Sequence, residues 1–521
     1  MKLRFHIFKV RLILILALAV ALAGCSTTRS ADNAQNGMPP IIPSGTEVVQ
    51  GNELDQVLGS ELSENSRPEL PLNIEVIPKE DQTRLGPFYS LLPELAWSPD
   101  GRYLAIFGEK NGYGLWLWDR HTKATRRLVQ LLDRSGERLT SLTFFGWSQD
   151  GHSLFYAVDG IQSEGQLLGK NGVLVRQLGL DGQERAVAWL PGEGAFIRSW
   201  LFNPQNNRLL LHRGQDLWMV DTAQRRSKKV KSNLPVWDGL FWVALSPTGE
   251  KAVYPEPESD KHRLIIVDIN TGRETLVGNV NEYSFYPVWS PNGEKLAFLS
   301  ASFGGQGYDF QIGEDGPLPP ATKILVVTKE GQLLAEHIPQ NQEKAGAPVW
   351  SADSRQLAFL SAAVSSTKDG FSEVKWRRLL LATSAHELQD WGSVSGDWIT
   401  IGGFTPDNKA VLLYIYEAGG GVTAVLQGPT KRAATLAQGA VDEQPIWWHG
   451  YLILPHLAEN SGDYLDTQLY LHDLKHGSRL LTSGPGWKSG VQVSDRYMAY
   501  TSADNQKYPY PLTVVIQPLP G

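Results

Sequence analysis

The sequence predicts an all-β fold, a single β-propeller. Three observations support this: a short phrase that recurs along the chain, a fixed order of short apolar strands after each copy, and a composition rich in turn formers and large aromatics. The 521 residues include 51 glycines and 17 tryptophans with a hydrophobic fraction of 42%, which suits many short strands joined by tight turns.

The phrase is an aromatic or leucine, a small polar residue, then proline and a turn pair. It appears first as Trp97-Ser98-Pro99-Asp100-Gly101 and returns as Trp147-Ser148-Gln149-Asp150-Gly151, Phe202-Asn203-Pro204-Gln205-Asn206 and Leu245-Ser246-Pro247-Thr248-Gly249. Trp289-Ser290-Pro291-Asn292-Gly293, Trp350-Ser351-Ala352-Asp353-Ser354 and Phe404-Thr405-Pro406-Asp407-Asn408 complete seven clear copies. Shortened copies follow at Trp447-Trp448-His449-Gly450 and Val493-Ser494-Asp495, and all nine lie 43–61 residues apart. A repeat of this length marks a stacked architecture.

Each copy has a physical reading. The aromatic ends an inner strand and packs between neighbouring sheets, proline presets φ, and Asp-Gly or Asn-Gly closes the turn. A second apolar strand follows, such as Leu296-Ala297-Phe298-Leu299, then a third such as Leu264-Ile265-Ile266-Val267. The turn Asp268-Ile269-Asn270-Thr271-Gly272 leads to a fourth, Glu274-Thr275-Leu276-Val277. Four short antiparallel strands make one blade, and a blade buries its faces only against neighbours. Eight units are full; a ninth has three strands and ends at Leu512-Thr513-Val514-Val515-Ile516. Leu72-Asn73-Ile74-Glu75-Val76 is the candidate N-terminal strand to complete that sheet and close the ring. Known propellers of four to eight blades favour eight here, while the literal count allows nine.

Before the propeller come two other segments. Residues 1–24 read as a signal peptide: Lys2, Arg4, Lys9 and Arg11 precede an apolar run from Leu12 to Ala23, too short to span a ~30 Å hydrocarbon core as a helix. The run ends at Leu22-Ala23-Gly24-Cys25, which resembles the lipobox of bacterial lipoproteins, and the chain has only 1 cysteine. That resemblance implies cleavage before Cys25, acylation of its thiol, and a chain held outside the cytoplasm at the cell membrane or outer membrane. Residues 25–70 carry no aromatic residue and no periodicity, so they read as a flexible tether of ~35–40 Å r.m.s. span. The propeller is assigned to 71–521.

Charge bounds the partners. The chain has 48 basic and 55 acidic residues, a net −7; removal of residues 1–24 takes away four bases and no acids, leaving −11. An acidic body argues against nucleic acid or anionic lipid as a partner, so the expected membrane contact is the lipid on Cys25. With one cysteine, no internal disulfide can form.

The Ser-Pro-Asp-Gly phrase before a Leu-Ala-Phe strand resembles the repeat of TolB-type and WD-like propellers, and also that in propeller domains of prolyl oligopeptidase-like proteins. The resemblance covers roughly residues 85–517 and implies the fold; its matching residues are structural. A serine hydrolase needs a nucleophile elbow, yet Gly392-Ser393-Val394-Ser395-Gly396 puts valine at the nucleophile position. The 11 histidines are scattered, and the nearest pair of interest, His449 and His456, has no carboxylate at ligand spacing. No catalytic residue, metal ligand or cofactor is therefore assigned.

The connections are more informative. Strand alternation places the segments between blades on the same face as the second-to-third-strand loops, opposite the Ser-Pro-Asp-Gly turns. On that face the sequence puts Trp242, Tyr286, Trp398 and Trp448, with Trp391 and Trp487 nearby, and an insertion at 301–322 that contains Tyr308. Amphipathic rings around a channel mouth favour contact with a partner or a sugar, and a long loop on a rigid scaffold is a common place for recognition. The expected function is a non-catalytic binding or scaffold lipoprotein for an envelope protein, peptide or glycan. The alternative is a propeller-based enzyme such as a polysaccharide lyase or hydrolase.

Overall fold

The computed structural model describes residues 76–519 apart from short internal segments, the longest being 131–140, 160–171 and 303–320. A three-residue helical turn, Lys79–Asp81, precedes the first strand. Among the described residues the remainder forms nine antiparallel blade sheets and a two-stranded hairpin, Ser365–Ser366 with Ser372–Glu373, inserted in blade 6. Blades 1 to 8 span 94–130, 141–191, 197–231, 244–277, 282–337, 344–395, 398–438 and 446–480, each with its strands paired in chain order. Blade 6 breaks its first strand into Lys344–Ala345 and Val349–Trp350, both paired with Leu357–Ala362. Blade 9 takes Lys488–Val493, Tyr497–Ala503 and Leu512–Pro518 from the C-terminal end and adds Thr83–Phe88 from the N-terminal side. The chain is a nine-bladed β-propeller.

Nine blades, rather than the eight favoured by precedent, follow because the shortened copies at Trp447 and Val493 each start a complete sheet. In blade 8 the phrase shrinks to His449-Gly450, both at positive φ, which turns Ile446–Trp448 directly into Tyr451–Leu457. The closing strand is Thr83–Phe88, later in the chain than the segment 72–76 expected for it. Leu72–Glu75 lie outside the described residues.

The repeated phrase folds as a small knot. Ser98 Oγ accepts from the Tyr103 amide at 2.9 Å and donates to Asp100 Oδ1 at 2.5 Å, while Asp100 Oδ1 also accepts from the Arg102 amide at 3.1 Å. The same pattern recurs at Ser148/Asp150, Ser351/Asp353 and Thr405/Asp407. Hydrogen bonds from Ser148 and the His152 amide hold the Asp150 carboxyl below the usual aspartate value. The knot fixes the turn with local groups, so the flanking strands enter the sheet in one register.

At the end of the first strand, the tryptophan of each copy reaches across to a neighbouring blade. The indole N–H of Trp147 donates to Ala96 O at 2.9 Å, Trp289 to Ala244 O at 3.1 Å, Trp350 to Val288 O at 3.0 Å and Trp97 to Gln492 O at 3.3 Å. Each acceptor is the residue just before the equivalent position of the preceding blade. The repeat therefore encodes an inter-blade bond as well as a packing contact.

Burial supports this arrangement. The large clusters lie between successive blades: Phe155, Leu209 and Trp218 between blades 2 and 3, and Phe298, Val253 and Trp289 between blades 4 and 5. Trp289 is 7% exposed. Trp289→Ala should destabilise the fold by roughly 3–5 kcal/mol. Trp289→Phe keeps most of the packing and should cost about 1–2 kcal/mol, part of it for the lost indole hydrogen bond. Equilibrium denaturant melts of both variants check this; equal losses for Phe and Ala would mean that ring packing contributes little.

Candidate binding face

Within each blade the first-to-second and third-to-fourth strand connections share one face, which carries the phrase. The second-to-third connections and the inter-blade segments share the other. Of the residues expected there, Trp242 and Tyr308 lie outside the described residues. Trp398 opens the first strand of blade 7, its backbone paired with Tyr416, at the inter-blade end as expected. Tyr286 is half-buried within the first strand of blade 5, in a bulge between Phe285 and Val288. Its φ of 55° is a left-handed conformation that a tyrosine rarely adopts.

Trp448 is elsewhere. It ends its strand next to the His449-Gly450 turn, on the face of the repeated phrase, and is 7% exposed. Its indole N–H donates to Asp495 O at 3.1 Å, so it bridges blade 8 forward to blade 9. Trp448 thus leaves the proposed face: it lies one residue past Trp447, which keeps the anchor register opposite Leu452 and packs toward blade 7. Trp391 is buried between blades 6 and 7, and Trp487 packs into the cluster joining blades 9 and 1.

The structure adds a feature that sequence reading missed, at the base of the 301–322 insertion. In blade 5, Ser300 Oγ donates to Glu282 Oε2 at 2.7 Å, and Lys323 Nζ lies 2.8 Å from Glu282 Oε1 and 2.7 Å from Glu336 Oε1. In blade 6 the corresponding positions repeat the arrangement: Ser361 Oγ donates to Glu343 Oε2 at 2.6 Å, and Arg378 pairs with both Glu343 and Asp390. Burial alone lowers the Lys323 ammonium, but its hydrogen bonds to Glu282 and Glu336 outweigh that and hold it above the usual lysine value. Both ladders stand at the inter-blade ends of their sheets. In both blades the acid precedes its serine by eighteen residues, a spacing hidden because the repeat phrase lies between them.

These ladders frame the insertion. The Thr322 amide donates to Ser300 O at 2.9 Å, and Ala321 forms an antiparallel bridge with Ala345 of blade 6. The far end of the loop is thereby pinned to two blades at once.

His449 and His456, close in sequence, stand at opposite ends of one strand. His449 lies at the turn, 3.0 Å from Asp495 Oδ1, while His456 is at the opposite end of the same hairpin strand. There His456 Nε2 lies 2.9 Å from His472 Nε2, and the Tyr470 ring stacks on His456 with centroids 4.4 Å apart. A hydrogen bond between two imidazoles needs one donor and one acceptor nitrogen, so at least one of the two rings is neutral. Burial pushes His472 down to about 4, and burial together with His472 lowers His456. Nearby, burial lowers Lys488 to about 8; its Nζ donates to Thr467 O, Gly484 O and Gly486 O at 2.8–3.1 Å and ties the blade 8–9 connection. Among the described residues, no three His, Cys, Asp or Glu side chains form a metal-ligand group.

A cleft of about 360 Å³ lies at the join of blades 9 and 1, lined by Leu85, Phe88, Ile106, Lys110, Trp116 and Arg127 among others.

No protein-family model matches the sequence, and no curated protein matches it. Among solved structures the chain is similar to the Dos1 propeller, at 8% identity over 84% of this chain and 94% of that one, with a TM-score of 0.42. It is also similar to an oligogalacturonate lyase solved with manganese (14% identity, 84% and 98% coverage, TM-score 0.39). A putative TolB from Agrobacterium tumefaciens is similar at 18% identity over 54% of this chain and 88% of that one, with a TM-score of 0.27. Likeness at this level carries no argument about activity, and the propeller assignment rests on the nine sheets.

The histidine pair gives a pH prediction. Both folded pKa values lie below the unfolded value of 6.5, so the unfolded chain takes up protons first as pH falls. The pair's contribution is full above pH 6.5 and is lost as pH drops toward 4. Denaturation midpoints measured across that window should fall, and His456→Gln/His472→Gln should flatten part of the slope. An unchanged slope in the double variant would show that these rings are not linked to folding.

Proposed function

We propose that the chain is a membrane-tethered lipoprotein outside the cytoplasm, whose propeller binds an envelope protein, peptide or glycan without catalysing a reaction. The observation that carries the binding reading is the mounting of the 301–322 insertion. The end of the insertion at Ala321 and Thr322 is pinned to two blades, beside two partly buried ion-pair ladders, which gives the segment a rigid base. Rigid mounting lowers the ordering cost that a recognition loop bears on binding. Tyr286 and Trp398 stand on the first strands of blades 5 and 7, on either side of blade 6.

The tether reading rests on the lipobox-like Leu22-Ala23-Gly24-Cys25 and the single cysteine. Cys25→Ser should abolish incorporation of labelled fatty acid and release the protein from the membrane or leave its signal peptide uncleaved. A Cys25→Ser chain that is processed and retained like the wild type contradicts the tether.

Replacing residues 303–320 by a tight turn should leave the melting midpoint nearly unchanged, because surface loops add little stability. It should weaken capture of the native envelope partner in a cross-linking pull-down. Full capture by the shortened chain, with loss of capture on substituting the turn face, would place recognition on the opposite side.

A further inference from the structure

The outer rim of blades 3 to 5 carries an uneven surface. Among the described residues, the large hydrophobic side chains that stand exposed are Leu333 at 61%, Ile338 at 60%, Leu276 at 48%, Val280 at 47% and Leu334 at 40%. All belong to the outermost strands of blades 4 and 5, Glu274–Val277 and Leu333–His337, or to the residues just after them. The neighbouring outermost strand, Arg226–Lys231 of blade 3, reads Arg-Ser-Lys-Lys-Val-Lys and follows Arg225. Lys231 Nζ meets Glu274 Oε1 of blade 4 at 2.6 Å, and Lys228 Nζ donates to Asn270 O at 3.1 Å, so the basic and apolar strands are contiguous. Lys229 is paired with Asp216, and the blade 3 strand remains net positive.

Edge protection explains only half of this. Lysines on an outermost strand keep it from pairing with another sheet, whereas exposed leucines on the next two outer strands invite association. The whole chain carries a net −7, so the collection of cations beside the apolar rim is local and runs against the overall charge.

We propose that this rim is a bilayer-contact surface, with the apolar side chains of blades 4 and 5 entering the interface and the cations of blade 3 meeting anionic lipid headgroups. Shallow apolar insertion and electrostatic attraction to anionic lipid act together, and neither suffices alone for stable attachment. The basic strand Arg226–Lys231 beside the apolar side chains complements an anionic lipid surface. The inference rests on the tethered reading in one respect: a chain already held near a membrane gains orientation from so small a patch. The tether alone leaves that orientation open, and rim contact would stand the disc on edge with both faces accessible. This sets aside the expectation from net charge that anionic lipid is not a partner.

The test uses the mature chain, residues 25–521, carrying Cys25→Ser, so that no acyl chain contributes. It is mixed with vesicles of phosphatidylcholine alone or with added phosphatidylglycerol and floated on a density gradient. The chain should float with the anionic vesicles and far less with the neutral ones. Leu333→Ser/Ile338→Ser and Arg226→Glu/Lys228→Glu should each lower partitioning about tenfold, with melting midpoints confirming that both variants fold. No flotation of the parent chain, or equal flotation of parent and both variants, overturns the proposal. A concentration-dependent dimer that Leu333→Ser/Ile338→Ser abolishes, without vesicle binding, assigns the rim to a second copy and also overturns it. Because the acyl chain is absent throughout, failure here is distinct from failure of fatty-acid labelling at Cys25.

Discussion

Thr83–Phe88 pairs with Leu512–Pro518, and through that pairing the two ends of the chain become one sheet. Thr83 faces Ile516, Arg84 faces Val515 and Leu85 faces Val514, before a bulge brings Phe88 opposite Leu512. Gly86 sits in that bulge because a Cβ there would lie 2.9 Å from Leu512 O. Without this strand, blade 9 would expose the edge of Leu512–Pro518, and blade 1 would lose part of its neighbour. Phe88, Ile106, Trp116, Val514 and Ile516 share one buried cluster across the join. A ring whose members bury surface only against neighbours gains its full stability when the last interface forms.

Around that closure the inter-blade terms repeat. The indole bridges run from each tryptophan-bearing blade to the blade before it, including from blade 1 back to blade 9 through Trp97 and Gln492. Blade 8 reverses the direction, with Trp448 donating forward to Asp495. Where the anchor is Phe202, Leu245, Phe404 or Val493, packing replaces the bridge; Phe202, for example, packs on Phe155 at a centroid distance of 5.0 Å. The join between blades 9 and 1 carries additional contacts, with Trp97, Trp118 and Tyr497 packed edge to face or tilted and Lys123 Nζ 4.3 Å from the Tyr497 ring centroid. Such a scaffold can hold long connections on one face without depending on them for its fold, which is the property a binding platform needs.

Most of the fold was legible in the sequence because the phrase combines an anchor, a turn and a strand start in five residues. Its shortened forms at Trp448 and Val493 still encode full blades, and counting them literally gives the nine that the structure has. The closing strand was harder to place: Thr-Arg-Leu-Gly-Pro-Phe contains a glycine and a proline, residues that usually argue against a strand, and they are accommodated by the bulge. The inter-blade face was legible only in part. Trp398 opens its strand at the inter-blade end, whereas Trp448, one residue past the anchor register held by Trp447, falls at the turn on the opposite face. The carboxylate–serine–cation ladders of blades 5 and 6 join residues twelve or more positions apart, and no local pattern reveals them. The basic run from Arg225 to Lys231 is plain in the sequence although net charge hides it; only the fold shows that it lies beside the exposed apolar strands of blades 4 and 5.

The central claim is that the ring is closed by Thr83–Phe88 and is stable as a closed unit. Native-state hydrogen exchange on the inward-bonded amides of Thr83–Phe88 and their partners in Leu512–Pro518 tests it most directly. These amides should exchange only through the same global opening that exposes interior strands such as Leu264–Asp268. Exchange of Thr83–Phe88 through a low-energy local opening, while the other blades stay protected, would contradict closure as the constraint that holds the propeller together.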